Sequence, residues 1–149
     1  MMAALQTIQF GWYKILTDEF AVTEEKYDPS AKADMKINLG FACMEAEMLL
    51  ALQVKCLFYQ QEKLLLAIAV SCLFIINPED WGKMYDSPNK TLTLPRPPAL
   101  HLAGLTVGTT RGALHAKTEN LPMNAVIVPP VNLNEIIKEK VIIDVRDHS

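Results

Sequence analysis

The run MKINLGFACMEAEMLLALQVKCLFYQQEKLLLAIAVSCLFII, residues 35–76, decides the fold. Its apolar side chains recur every second residue, the period of a strand whose neighbouring side chains point to opposite faces. Met35, Ile37, Leu39, Phe41 and Cys43 share one face, with Lys36, Asn38, Gly40 and Ala42 on the other. After the polar break Met44-Glu45-Ala46-Glu47, a second one-sided set follows: Met48, Leu50, Leu52, Val54, Cys56 and Phe58. Gln60-Gln61-Glu62-Lys63 interrupts the pattern again, and Leu64, Leu66, Ile68, Val70, Cys72 and Phe74 form a third. Strands joined by such short polar connectors predict an antiparallel meander. The second and third strands are apolar on both faces, so both faces of the sheet are expected to be covered.

Upstream, IQFGWYKIL (residues 8–16) places Ile8, Phe10, Trp12 and Leu16 at even positions, a further strand. Thr17 to Asp34 is mostly polar, with Pro29 and Ser30, and predicts an irregular connection or an interrupted strand. Downstream, residues 77–98 carry Pro78, Pro88, Pro95, Pro97 and Pro98 and read as an ordered crossover loop. Pro97-Pro98 then opens a long helix to about Ala116, in which Gly104, Gly108 and Gly112 fall four apart on one face. Each glycine costs ~1 kcal/mol against alanine. Close packing on the sheet or on a second copy of the helix is the expected offset. The chain closes with an extended apolar segment to Val128, a stop at Pro129-Pro130, and a short helix from Asn132 through about Lys140. Strands over about 5–76, the crossover over about 77–98 and helices over about 98–140 make residues 1–149 one α+β domain: a four-stranded antiparallel sheet, a long helix and a short C-terminal helix.

The chain has 149 residues, 50% apolar and 21% charged, enough for one core with apolar residues to spare. The surplus needs a membrane, a partner subunit or an apolar ligand. The longest apolar run, residues 64–76, is shorter than the ~20 residues of a membrane-spanning helix. A net charge of -3, with the basic residues dispersed, argues against nucleic acid. The N-terminus lacks the basic region of a secretory signal, and Cys43, Cys56 and Cys72 form no CxxC, so buried thiols in a cytoplasmic protein are expected. No serine lies in a GxSxG context, and GLTVGTTRG lacks the spacing of a phosphate loop. His101 and His115 have no carboxylate or thiol at ligand spacing. The residues therefore predict a binding or assembly protein with no metal and no cofactor, rather than an enzyme.

The C-terminal stretch TTRGALHAKTENLPMNAVIVPPVNLNEII resembles the end of the bacterial SecB-type export chaperones. The shared features are Thr110-Arg111-Gly112 on the helix, Leu121-Pro122, the alternating Val126 and Val128, and Pro130-Val131-Asn132 before Leu133. Met35–Phe41, the Glu62-Lys63 turn, the crossover and the long helix follow the same order. The resemblance implies an ATP-independent holdase, a homotetramer built as a dimer of dimers with long helices between sheets, which holds unfolded polypeptides in apolar grooves. Position by position, it places Ile37, Leu39 and Phe41 on the groove floor, Leu121, Val126 and Val128 on the flanking segment and Trp81 on the crossover, with Gly104, Gly108 and Gly112 at the helix interface. SecA-binding members carry an acidic sheet surface and a mobile tail. The middle strands here hold few acids and the chain ends soon after VIIDVRDHS, so delivery to SecA is the part of that role this sequence supports least. Protection of an unstable antitoxin is a related role. A non-enzymatic module of similar fold, with the groove closed around a small apolar ligand, is the alternative.

Overall fold

The computed structural model describes residues 6–145, so the expected strand start near residue 5 lies outside the described residues. Four long strands, β1 (Phe10–Val22), β2 (Asp34–Met44), β3 (Leu49–Gln60) and β4 (Lys63–Ile76), form an antiparallel sheet in the order β1-β4-β3-β2. The meander is in register as the alternation requires: Phe41 pairs with Leu52, which pairs with Cys72. The turn between β3 and β4 is the two-residue Gln61-Glu62, both in the left-handed region with φ of 51° and 66°. That geometry matches the twist of the strands it joins.

After the sheet come α1 (Pro78–Met84), β5 (Tyr85–Asp86), β6 (Thr91–Leu94), α2 (Arg96–Lys117), α3 (Leu133–Ile136) and β7 (Val141–Asp144). The fold is α+β. α2 lies across β3 and β4, and its sheet-facing side chains, among them Leu102, Ala103, Thr106, Val107, Thr110 and Leu114, are buried against the strands' inner face. The core is there: Leu50, Leu52, Val54, Phe58, Ile68, Val70 and Phe74 exclude water almost completely. No helix among the described residues is long and apolar enough to cross a membrane.

Four local expectations change. β1 continues through Thr17–Val22, so of the two alternatives left by the polar residues the interrupted strand holds up to Val22 and the irregular connection begins only after it. Bulges between Trp12 and Lys14 and between Thr17 and Glu19 also break its simple alternation, so Ile15 pairs with Cys72 while Leu16 pairs with Ser71 on the outer face. The polar residues are what that outer face uses: Asp18 accepts from Ser71 Oγ and from Gln53 Nε2, and Glu19 lies 3.1 Å from Lys55 Nζ.

The crossover is not a loop throughout. Pro78 begins α1 behind an Asn77 cap, Pro97 and Pro98 occupy the first turn of α2, and β5 pairs with β6 between them. These prolines stand where a helix has no use for the missing N–H. The C-terminal helix ends at Ile136 rather than near Lys140, and Val141–Asp144 completes a second sheet of order β5-β6-β7.

The two sheet faces also differ. Among the described residues, α2 packs on the inner face. On the outer face the small Ala67 and Ala69 are shielded while Ile75 is 46% exposed.

The three thiols lie in the core, as their alternation indicates. Burial pushes Cys43 and Cys56 from an ordinary value of 9.0 up to about 11, with Asp144 and Glu45 adding to the rise at Cys43 and Arg111 opposing it at Cys56. Between pH 9 and 11 the native state keeps protons that the unfolded chain releases, so stability falls as pH rises through that window. The urea midpoint is expected to drop more steeply from pH 9 to 11 in the wild type than in a Cys43→Ala/Cys56→Ala variant; equal slopes would show that the thiols do not contribute.

Candidate functional site: a trough along strand β2

β2 is an edge strand, paired only with β3 within its sheet. An edge strand leaves backbone donors and acceptors unpaired on one side. Its inner-face residues Met35, Ile37, Leu39 and Phe41 pack against the core but remain partly exposed, because α2 covers β3 and β4 instead. Opposite them runs the segment that follows α2, residues 121–142. The space between is a trough with two open cavities of about 500 Å³ each. One has Met35 and Phe58 beneath Tyr27, Val126 and Ile127; the other has Ile37, Leu39 and Phe41 against Ile137, Val141 and Ile142. At its far end the trough is closed by a parallel bridge between Cys43 and Val145.

Both walls are fastened through main-chain carbonyls. Arg111 Nε donates to the Val128 oxygen at 2.7 Å, and its Nη2 to the Pro129 oxygen at 3.0 Å. Arg96 Nε donates to the Ile137 oxygen at 2.8 Å, and its Nη2 to Asn134 Oδ1 at 3.0 Å. Asn124 Nδ2 ties the start of the segment to the His115 oxygen and Thr118 Oγ1, both at 3.1 Å. The facing wall, the β1–β2 connection, is held by the buried Gln60. Its Nε2 donates to the Asp28 and Ala31 oxygens at 2.8 and 2.9 Å, and its Oε1 accepts from Asp28 N at 2.9 Å. Two hydrogen bonds from Ser30 hold the Asp28 carboxyl below its ordinary value and stiffen that turn.

The expected groove residues divide. Ile37, Leu39, Phe41 and Val126 line the trough. Val128 is buried beneath its wall and serves through its carbonyl. Leu121 is partly buried and Trp81 is buried in α1, stacked on Tyr85; neither lines the two cavities along β2. Gly104, Gly108 and Gly112 are exposed on the side of α2 away from the sheet, so the sheet does not offset their cost. A methyl group added at Gly104 would only touch Leu133, and at Gly108 or Gly112 it would meet nothing within 4 Å.

Sequence reasoning missed Met35, Phe58, Ile137 and Ile142 as trough residues, and the two arginine clasps. Arg96 and Arg111 are the only arginines of α2 and form no ion pair among the described residues; the carbonyls they grip leave no mark in the sequence. Comparison of the sequence with protein-family models and with curated proteins returns no match.

Proposed function

We propose that the chain is an ATP-independent holdase, a non-enzymatic cytoplasmic chaperone that binds unfolded polypeptides along the β2 trough. The observation that carries this reading is the row Met35, Ile37, Leu39 and Phe41, apolar and partly exposed on the edge strand of its sheet, which is bridged to Val145 only at Cys43. An extended client can bury apolar side chains there at ~25 cal/mol per Å² while its backbone meets the open edge, and neither interaction demands a particular sequence. Ile127 and Ile142, 61% and 62% exposed, lengthen the apolar surface on the opposite wall.

The same reading assigns a homotetramer, a dimer of dimers. It is supported by the open glycine side of α2 and by β1, a second edge strand whose Trp12, Tyr13 and Ile15 are about half exposed. SecA docking through an acidic sheet face finds little support, because Asp18 and Glu19 are engaged with Ser71, Gln53 and Lys55. Holding a client such as an antitoxin needs no such face. The second reading, a small apolar ligand, rests on cavity size, which lies within the ~300–1,000 Å³ of ligand sites.

The test combines mass with protection. Purified protein is expected at four times the chain's 16.7 kDa and to suppress aggregation of a chemically unfolded client without ATP. A monomer without such activity overturns the proposal, and a small-molecule mass retained in native mass spectrometry favours the second reading. A Cβ at Gly108 meets nothing within 4 Å and the position is exposed, and Gly108→Leu adds roughly 0.8 kcal/mol of helix propensity. It is therefore expected to dissociate the assembly while the helix content survives; an unchanged mass would remove the glycine side from the interface.

A further inference from the structure

We infer that the trough selects apolar client segments flanked by acidic residues, an inference that rests on the holdase reading. The two sheet faces carry different charge. On the outer face Asp18 and Glu19 are held by hydrogen bonds and an ion pair and present little free charge. Along the trough the lining charges are Lys32, Lys138 and Lys140 against Asp34 and Glu139, all exposed. Among the described residues none of those three lysines forms an ion pair.

Arg111 and Arg96 project from α2, outside the lining of either cavity, with their guanidinium groups hydrogen-bonded to carbonyl and amide oxygens of the wall segment, which orient them without cancelling their charge. Arg111 is close enough to the trough floor to act electrostatically on Cys56, the residue paired with Ile37. The local balance is thus positive within a chain whose net charge is -3. Of the acids beside the trough, Asp28 sits in the β1–β2 wall with its carboxyl held by Ser30, and Asp144 and Glu45 lie around Cys43 at the closed end.

At ~0.1 M salt the screening length is about 10 Å, so charges spread over the rest of the surface act weakly on a bound segment. Charges lining its path act strongly. A client seated on Ile37, Leu39 and Phe41 brings its flanks beside Lys138 and Lys140 on the facing wall and Lys32 at the open mouth. Carboxylates there gain; ammonium groups are repelled.

The probes are two fluorescent peptides with one shared Val/Phe core, bearing two glutamates at each end in one case and two lysines in the other. Their binding to the full chain is read by anisotropy. At about 50 mM salt the glutamate-flanked peptide is expected to bind roughly tenfold more tightly, with the ratio falling toward one near 0.5 M as screening shortens. Lys138→Glu/Lys140→Glu, at two exposed positions, is expected to bring the ratio to one or reverse it. Equal binding of both peptides to the wild type, or a preference for lysine, overturns the charge assignment and leaves the groove reading standing. Binding of neither peptide overturns the groove reading and this inference with it.

Discussion

Phe74→Ala is expected to destabilise the fold by about 3–5 kcal/mol, the range for removing a fully buried aromatic side chain. Phe74 is wholly buried on β4 and pairs with Leu50 across the strand. Its ring meets Phe10 edge-on at 5.4 Å and Trp12 at 4.9 Å, so it joins the edge strand to the centre of the sheet. The cavity left by truncation would lie where β1 and β4 meet beneath the half-exposed Trp12. Total stabilities of domains are only about 5–15 kcal/mol, so the variant should lose a large share of it. Urea denaturation at one fixed protein concentration measures the effect, and tryptophan fluorescence should shift to the red as Trp12 loses its support. A loss below about 1 kcal/mol would mean that the sheet does not depend on this aromatic cluster.

Leu39→Thr/Phe41→Thr is expected to weaken client binding by about thirtyfold or more. Burying a large apolar side chain contributes roughly 1.5–3 kcal/mol, and ~1.4 kcal/mol is a factor of ten in affinity. Threonine keeps the preference for a strand, and both positions are already partly exposed, so the sheet should survive. Leu16→Thr, on the outer face of β1, is the control expected to protect clients as well as the wild type. Titrating chaperone against an aggregating client by light scattering distinguishes them. Full protection by the double variant, with its circular dichroism unchanged, would remove the β2 trough from client binding.

How much was legible in the chain depended on whether one rule acted alone. Residues 35–76 obey the period of two without interruption, and their strands, pairing order and buried thiols follow from it. β1 was harder because its two bulges shift the side-chain parity, and a shift of one residue exchanges the faces. The crossover was misread at Pro78 because proline marks helix starts as well as loops; Pro78 opens α1 just as Pro97-Pro98, read correctly, open α2. VIID was hidden because a four-residue strand has too few residues to display a period, and its partner β6 lies far upstream in the proline-rich stretch. Of the trough, the floor was legible from alternation on β2. The walls were not, because they are set by Gln60, Arg96 and Arg111 acting on carbonyls, which every residue carries and no side-chain pattern reveals.

That mode of attachment has a consequence for how the protein can change. The two arginines grip mostly the peptide skeleton of residues 128–137, with Asn134 the one side chain involved. Ala125 and Ile127 on the preceding stretch are exposed and hold nothing in place. A new set of side chains at those positions would ride on an unaltered mount. On the proposed holdase reading, client preference and mechanical anchorage are written in separate parts of the chain, and the first can be rewritten while the second stays fixed.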